Sequence, residues 1–361
     1  MTRRLGLLTG GGDAPGLNAV IRAVVKTADS AGEGEIIGIE DGYDGLLMPD
    51  RANPLGPEAV RGLQSRGGTI LGAANRGNPF ARKVIRSGQE VIEDLSDQVL
   101  QGSQRLRLDG LIVVGGDGTL RIAHELELRY GLPIVGVPKT IDNDLGGTDV
   151  TFGFDTACGT ATEALDRLHT TAESHHRVMV LELMGRDAGF IALHAGVAGD
   201  ADAILIPEIP FDIGVVCAKV REREATGRRF SIVVVSEGAR PAGGAQSFRT
   251  AGDALFAPRL GGIGQQVGAA IEQLTGKEAR VTVLGHLQRG GSPSAFDRWL
   301  ATRFGAAAAR LAEQGQWGHM VGLRGQEIVS VPLAEAIAVA KRVDPKGEAV
   351  CTARGLGIVF G

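Results

Sequence analysis

Leu5-Gly6-Leu7-Leu8-Thr9-Gly10-Gly11-Gly12-Asp13-Ala14-Pro15-Gly16-Leu17-Asn18 runs from an apolar stretch through a glycine-rich turn into the start of a helix. The short apolar run Leu5–Thr9 predicts a buried strand, and Asn18–Ala28 carries the spacing of an amphipathic helix. Glycines between the two let the backbone approach an anion. The free N–H groups and positive dipole end of the helix that follows favour one. Counted from Gly10, a dinucleotide fingerprint needs glycine where Pro15 stands. The turn therefore reads as a phosphate loop or as a tight strand-to-helix turn, not as a dinucleotide site.

The alternation continues along the chain. Glu35–Ile39, Leu111–Val114, Pro133–Val137, Val178–Leu183, Ala203–Ile206, Ser231–Val235 and Val281–Leu284 read as strands. Leu120–Tyr130, Asp155–Thr171, Phe190–Ala198, Gly214–Glu224, Gly264–Leu274 and Ser294–Ala312 read as helices. Near-continuous apolar strands alternating with helices mean parallel sheets covered on both faces, an α/β fold. Ligands of such sheets gather at the carboxyl ends of the strands. Asp41–Asn53 and Arg240–Arg249 read as loop insertions, and no internal repeat is evident.

With 361 residues the chain is long enough for two lobes, since single cores stop growing near ~250–300 residues. A net charge of −4 gives no general attraction for nucleic acid or an anionic membrane, so an anionic substrate needs a local cluster of Arg and Lys. Cys158, Cys217 and Cys351 are widely spaced, which argues against a disulfide framework or a zinc site and fits a reducing compartment. The apolar run after Arg3 and Arg4 is too short for a signal peptide, and no stretch of about 20 apolar residues spans a membrane.

Two further strands end in polar turns. Leu111-Ile112-Val113-Val114-Gly115-Gly116-Asp117-Gly118-Thr119 puts a carboxylate among glycines at the mouth of a sheet. Asp117 there can hold Mg²⁺ against phosphate oxygens, or it can cap the helix that follows. Val137-Pro138-Lys139-Thr140-Ile141-Asp142-Asn143-Asp144 gathers a lysine, a hydroxyl and two carboxylates after an apolar strand. In phosphoryl transfer to an alcohol, one carboxylate takes the hydroxyl proton, while lysine neutralises phosphate charge.

The sequence resembles the phosphofructokinase family over nearly its whole length. Gly11–Asn18, Gly115–Thr119, Thr140–Asp144, Met184-Gly185-Arg186 and Gly285-His286-Leu287-Gln288-Arg289-Gly290-Gly291-Ser292-Pro293 match that family's motifs in order. The resemblance implies a cytoplasmic glycolytic enzyme that phosphorylates fructose 6-phosphate with ATP and Mg²⁺. It implies two Rossmann-like lobes with the active site in the cleft between them. The donor-binding lobe would take residues 1–153 plus about 288–338, and the fructose 6-phosphate-binding lobe 154–287 plus about 339–361. Asp142 would be the base, Asp117 the metal ligand, and Arg186 would stabilise charge on the transferring group. Gly12, Gly77 and Gly116, Asp117, Gly118 and Thr119 would hold the donor, and Arg76 would bridge donor and acceptor phosphates. Thr140, Ile141, Asp142, Met184, Gly185, Arg186, Glu237, His286, Leu287, Gln288 and Arg289 would line the sugar. Arg177 and Arg280 match arginines that reach the sugar 6-phosphate from a neighbouring subunit, which implies a homodimer or homotetramer. Read without that context, His286 is a core histidine, Glu237 a strand-end cap and the two arginines surface residues.

The donor is contested by two positions. Pyrophosphate users of the family carry aspartate where Gly118 stands, which favours ATP here, whereas Lys139 is the residue of pyrophosphate users. An alternative is therefore a reversible pyrophosphate-dependent enzyme, and a third reading is a non-catalytic sugar-phosphate-binding subunit. Arg22, Lys26, Arg228 and Arg229 keep positive charge at the positions of the family's effector site, but His169 and Thr226 stand where Arg or Lys is usual. That weakens the case for effector control.

Overall fold

Strand Arg3–Thr9 hydrogen-bonds in parallel to Gly34–Ile39 on one side and to Gly110–Gly115 on the other. A computed structural model of the chain describes residues 3–32, 34–73, 77–250 and 259–361, which form two units. The first unit comprises Met1–Ile141, Leu145–Asp155 and Arg289–Ala340. Its seven-stranded sheet has the order Glu327–Pro332, His319–Arg324, Ile134–Pro138, Gly110–Gly115, Arg3–Thr9, Gly34–Ile39, Ala52–Pro54. Neighbouring strands are parallel except the two edge strands, which run antiparallel to their neighbours.

The apolar runs hide a period of two. Leu5, Leu7, Ile112 and Val114 pack on one face with helices Leu17–Ala31 and Ala295–Glu313. Leu8, Leu111 and Val113 pack on the other with Asp117–Tyr130. Each such aliphatic side chain contributes roughly 1.5–3 kcal/mol on full burial, so a polar substitution on either face is costly. Register then sets the site. Thr9 pairs with Val114, Val114 with Val137, and Gly115 with Pro138. The three polar turns thus leave the sheet side by side at the carboxyl ends of adjacent strands.

The second unit comprises Asp142–Asp144, Thr156–Gln288 and Lys341–Gly361. Its four-stranded parallel sheet has the order Ala279–Val283, Val178–Leu183, Ser231–Ser236, Ala203–Leu205. Val178, Val180, Val233 and Val235 meet helices Ile213–Ala225 and Ile263–Thr275 in its core. The expected strands and helices are present. The Asp41–Asn53 insertion, however, contains a short helix, Asp44–Leu47, and leads into the edge strand Ala52–Pro54. Among the described residues no helix is long and apolar enough to cross a membrane.

Candidate active site

In the first unit the three turns converge on a cavity of about 540 Å³, within the range of small-molecule sites. Gly10, Gly11 and Gly12 form one wall, Gly116, Asp117, Gly118 and Thr119 another, and Lys139, Thr140 and Arg289 a third. Gly77 also lines it, whereas Arg76 lies outside the described residues. Gly10 and Thr119 fit together closely: a Cβ on Gly10 would stand 2.7 Å from the Thr119 methyl. Tyr43 donates its hydroxyl to the Thr119 carbonyl at 3.0 Å. Burial pushes the Tyr43 phenol well above its ordinary pKa.

Two cations grip the first glycine turn. Lys139, 3% exposed, donates from Nζ to the Gly12 carbonyl. Arg289 donates from Nη1 to the Asp13 carbonyl at 3.1 Å, and a Cβ on Gly12 would stand 2.8 Å from the same nitrogen. The guanidinium thus lies against Gly12, and a side chain there would have to displace it. In a chain of net charge −4 this local positive charge is what an anion needs.

Asp117 begins the helix Asp117–Tyr130, for which Gly116 is the N-cap. The capping alternative for Asp117 thus fails. Its carboxylate instead accepts from Arg121 Nε at 2.8 Å, one turn on, which leaves the first-turn N–H groups for a ligand. Gly118 follows, exposed, and a Cβ built on it meets nothing within 4 Å. The cavity is open beside Gly118.

The second unit holds the other expected residues. At the end of Val178–Leu183, Gly185 has φ 134° and its carbonyl accepts the Ser236 hydroxyl at 2.6 Å. A Cβ there would lie 2.6 Å from Ser236 Oγ, so glycine is required. Arg186 follows, half-exposed, with Nε 3.7 Å from Asp187. Gln288 is fully buried and its amide oxygen accepts the Met184 N–H at 2.8 Å, so its side chain braces the Met184 turn. His286 and Leu287 are exposed, which rules out a core histidine. Glu237 is partly exposed just past Ser231–Ser236, with its N–H on the Leu183 carbonyl at 2.8 Å. Asp142, Asn143 and Asp144 group with this unit, although Thr140 and Ile141 belong to the first.

Arg177 and Arg280 share one partner that the sequence reading missed. Glu278 accepts from Arg177 Nε at 2.6 Å and also pairs with Arg280 Nη2. Both guanidinium groups hold its carboxyl below the usual range, Arg177 more strongly. Among the effector-position residues, His169 Nε2 contacts the Gly199 carbonyl at 2.7 Å and its ring meets Phe230 edge-on. Thr226 donates to the Arg223 carbonyl at 2.9 Å, while Arg228 and Arg229 are exposed. His169 and Thr226 are thus engaged in the unit's own packing.

A family model described as Phosphofructokinase matches residues 4–312. The ATP-dependent 6-phosphofructokinase of Chloroflexus aggregans is 58% identical over 359 residues, 99% of this chain and 98% of that protein. A pyrophosphate–fructose 6-phosphate 1-phosphotransferase of Streptomyces coelicolor is 53% identical over 95% of this chain and 96% of its own length. Among solved structures, Pichia pastoris phosphofructokinase in the T-state matches with a TM-score of 0.80 and 31% identity over 99% of this chain. The chain spans 36% of the length of that structure's chain.

Proposed function

This chain belongs to the phosphofructokinase family, and from that premise we propose that it is a 6-phosphofructokinase that transfers the terminal phosphoryl group of ATP to the 1-hydroxyl of D-fructose 6-phosphate. The observation that carries the reading is the meeting of Gly10–Gly12, Gly116–Thr119, Lys139 and Arg289 in one cavity. Glycine backbone, helix N-terminal N–H groups and two cations suit a polyphosphate.

In this reading the first unit holds the donor and the second the sugar phosphate. The Asp142 carboxylate takes the proton of the 1-hydroxyl as the new O–P bond forms, and the bond from phosphorus to the donor's bridging oxygen breaks. Arg186 faces the charge spread over the transferring group. Thr140, Ile141, Met184, Gly185, Glu237, His286 and Leu287 orient the sugar. Arg289 lines the glycine cavity of the first unit, so it acts on phosphate charge. Arg177 and Arg280 take the 6-phosphate in a homo-oligomer, dimeric or tetrameric, and the protein works in the cytoplasm.

Asp117 is the cavity's carboxylate, and no cluster of three or more His, Cys, Asp or Glu side chains able to hold a metal occurs among the described residues. That donor set fits Mg²⁺ arriving on donor phosphates and does not fit a caged metal. Asp117 would hold the ion, which when bound neutralises phosphate charge.

Pyrophosphate as donor is the second reading, and the Lys139 ammonium on the Gly12 carbonyl is the observation that favours it. The open space beside Gly118 favours ATP. Incubation with fructose 6-phosphate, Mg²⁺ and ATP should yield fructose 1,6-bisphosphate. Sugar-phosphate binding without product would leave a non-catalytic subunit instead.

A further inference from the structure

The loop that carries Asp142 lacks regular secondary structure, yet its conformation is demanding. Asn143 is 5% exposed and sits at φ 54°, the left-handed region that non-glycine residues enter at a cost. Such a conformation persists only where neighbours over-determine it. Among these neighbours is a distant stretch, Lys341–Val343, which belongs to the same unit.

Lys341 bonds the loop through both its backbone and its side chain. Its backbone N–H donates to the Asp144 carbonyl at 2.8 Å, and its Nζ donates to Asn143 Oδ1 at 3.0 Å. The ammonium also lies 5.5 Å from the centre of the Phe190 ring, which helps fix its position. Two residues on, the Val343 N–H donates to Glu208 Oε1 at 2.9 Å. The same carboxylate accepts the Gly189 N–H, with its two oxygens at 3.0 and 3.1 Å. Gly189 ends the loop that begins with Met184-Gly185-Arg186 and precedes helix Phe190–Ala198. A Cβ on Gly189 would stand 2.4 Å from the Ile206 Cβ, so this junction has room only for glycine. The strap is therefore tied at one end to the Asp142 loop and at the other, through Glu208, to the Arg186 loop.

We propose that Lys341 is a positioning residue for phosphoryl transfer, and that the strap Lys341–Val343 holds the loops of Asp142 and Arg186 in a common register. The proposal rests on the roles given above to Asp142 and Arg186. Lys341 is given a positioning role and no chemical one. It acts by keeping the Asn143 turn closed, so that the carboxylate one residue earlier meets the acceptor hydroxyl.

The test compares Lys341→Met and Lys341→Arg with the wild type in steady-state kinetics and in hydrogen exchange of the peptide covering Ile141–Thr148. Lys341→Met should lower kcat on the order of 10–100-fold with KM for ATP nearly unchanged, because misplacement of a reacting group costs rate more than binding. Lys341→Arg, which keeps a charged donor, should recover much of it. Exchange in the peptide should rise in the methionine variant and stay near wild type in the arginine variant. Asn143→Gly removes the strain at φ 54°, so adding Lys341→Met to it should cost less than adding Lys341→Met to the wild type. Glu208→Gln probes the far end, should the methionine variant fail to fold, and should lower kcat in the same sense. Unchanged exchange at Ile141–Thr148, or effects of Lys341→Met and Asn143→Gly that simply multiply, would overturn the strap whatever the activity. A wild type inactive with every donor, but with the exchange pattern intact, would instead overturn the catalytic roles.

Discussion

The Asp117 carboxylate is bonded to Arg121 Nε at 2.8 Å, and the same guanidinium reaches across to the Ile337 carbonyl at 2.6 Å. The residue assigned to the metal is thus already countered by a cation one helical turn away. Both side chains are about half exposed, so the pair is worth little, roughly 0.2–1 kcal/mol. Arg121→Leu should lower the Mg²⁺ concentration for half-maximal rate by roughly two-fold, the same modest amount in energy. Titration of Mg²⁺ at saturating donor checks this, and a higher Mg²⁺ requirement would mean that Arg121 helps to hold the donor.

Asp142→Asn should cut kcat by about 10²–10⁴, the usual worth of a positioned base, while fructose 6-phosphate still binds. Calorimetric binding beside steady-state rates separates the two. Rates near wild type would remove Asp142 from the role of base.

Gly118→Asp sends a carboxylate into the donor cavity. Nothing lies within 4 Å of the new Cβ, and an acid in the first turn of the helix favours its dipole, so melting temperature should hold or rise slightly. Like charge against the donor phosphates costs several kcal/mol, so kcat/KM for ATP should fall on the order of a hundredfold. Unchanged ATP kinetics would show that the donor phosphates lie elsewhere.

Arg177→Ala and Arg280→Ala should each raise KM for fructose 6-phosphate about tenfold, as loss of a charge-assisted hydrogen bond costs about 1.5–3 kcal/mol. Glu278→Gln should move it less than about threefold, because its partners are solvent-accessible. A large effect of Glu278→Gln with none at the arginines would reverse this assignment.

Tyr43 should make the protein sensitive to alkali. Its phenol stays protonated in the folded state above pH 10.0, its ordinary value, because burial disfavours the phenolate. The unfolded chain releases that proton above pH 10.0, so stability falls as pH rises beyond it. Tyr43→Phe should flatten this fall in urea melts between pH 9 and 11, and should cost about 0.5–1.5 kcal/mol at neutral pH for the bond to Thr119. An identical alkaline slope in the variant would contradict the assignment.

The two sheets were legible because their central strands are covered on both faces. Leu111–Val114 needs no partner to be read as a strand, and every residue of the observed Gly110–Gly115 is buried. Hairpin Arg82–Arg86 with Gln89–Glu93 is polar and largely exposed, held in part by the Arg86–Glu93 pair, so no apolar period marks it. Strand Glu327–Pro332 is an edge, and helix Ser96–Arg105 has only a few buried positions, which hides both. In the site, glycines flanking Asp117 announce themselves by composition. Glu278 and the Lys341 strap carry no local pattern, because their partners at Arg177, Asn143 and Asp144 are far off in sequence. Asp142 could be recognised from its motif, but its grouping with the second unit depends on contacts made only in the fold.

The most direct test sets ATP against pyrophosphate on one preparation, with fructose 6-phosphate and Mg²⁺ in both. The open space at Gly118 predicts turnover with ATP, and kcat/KM lower with pyrophosphate on the order of a hundredfold or more. Turnover with pyrophosphate and none with ATP would contradict the account and assign the choice of donor to Lys139.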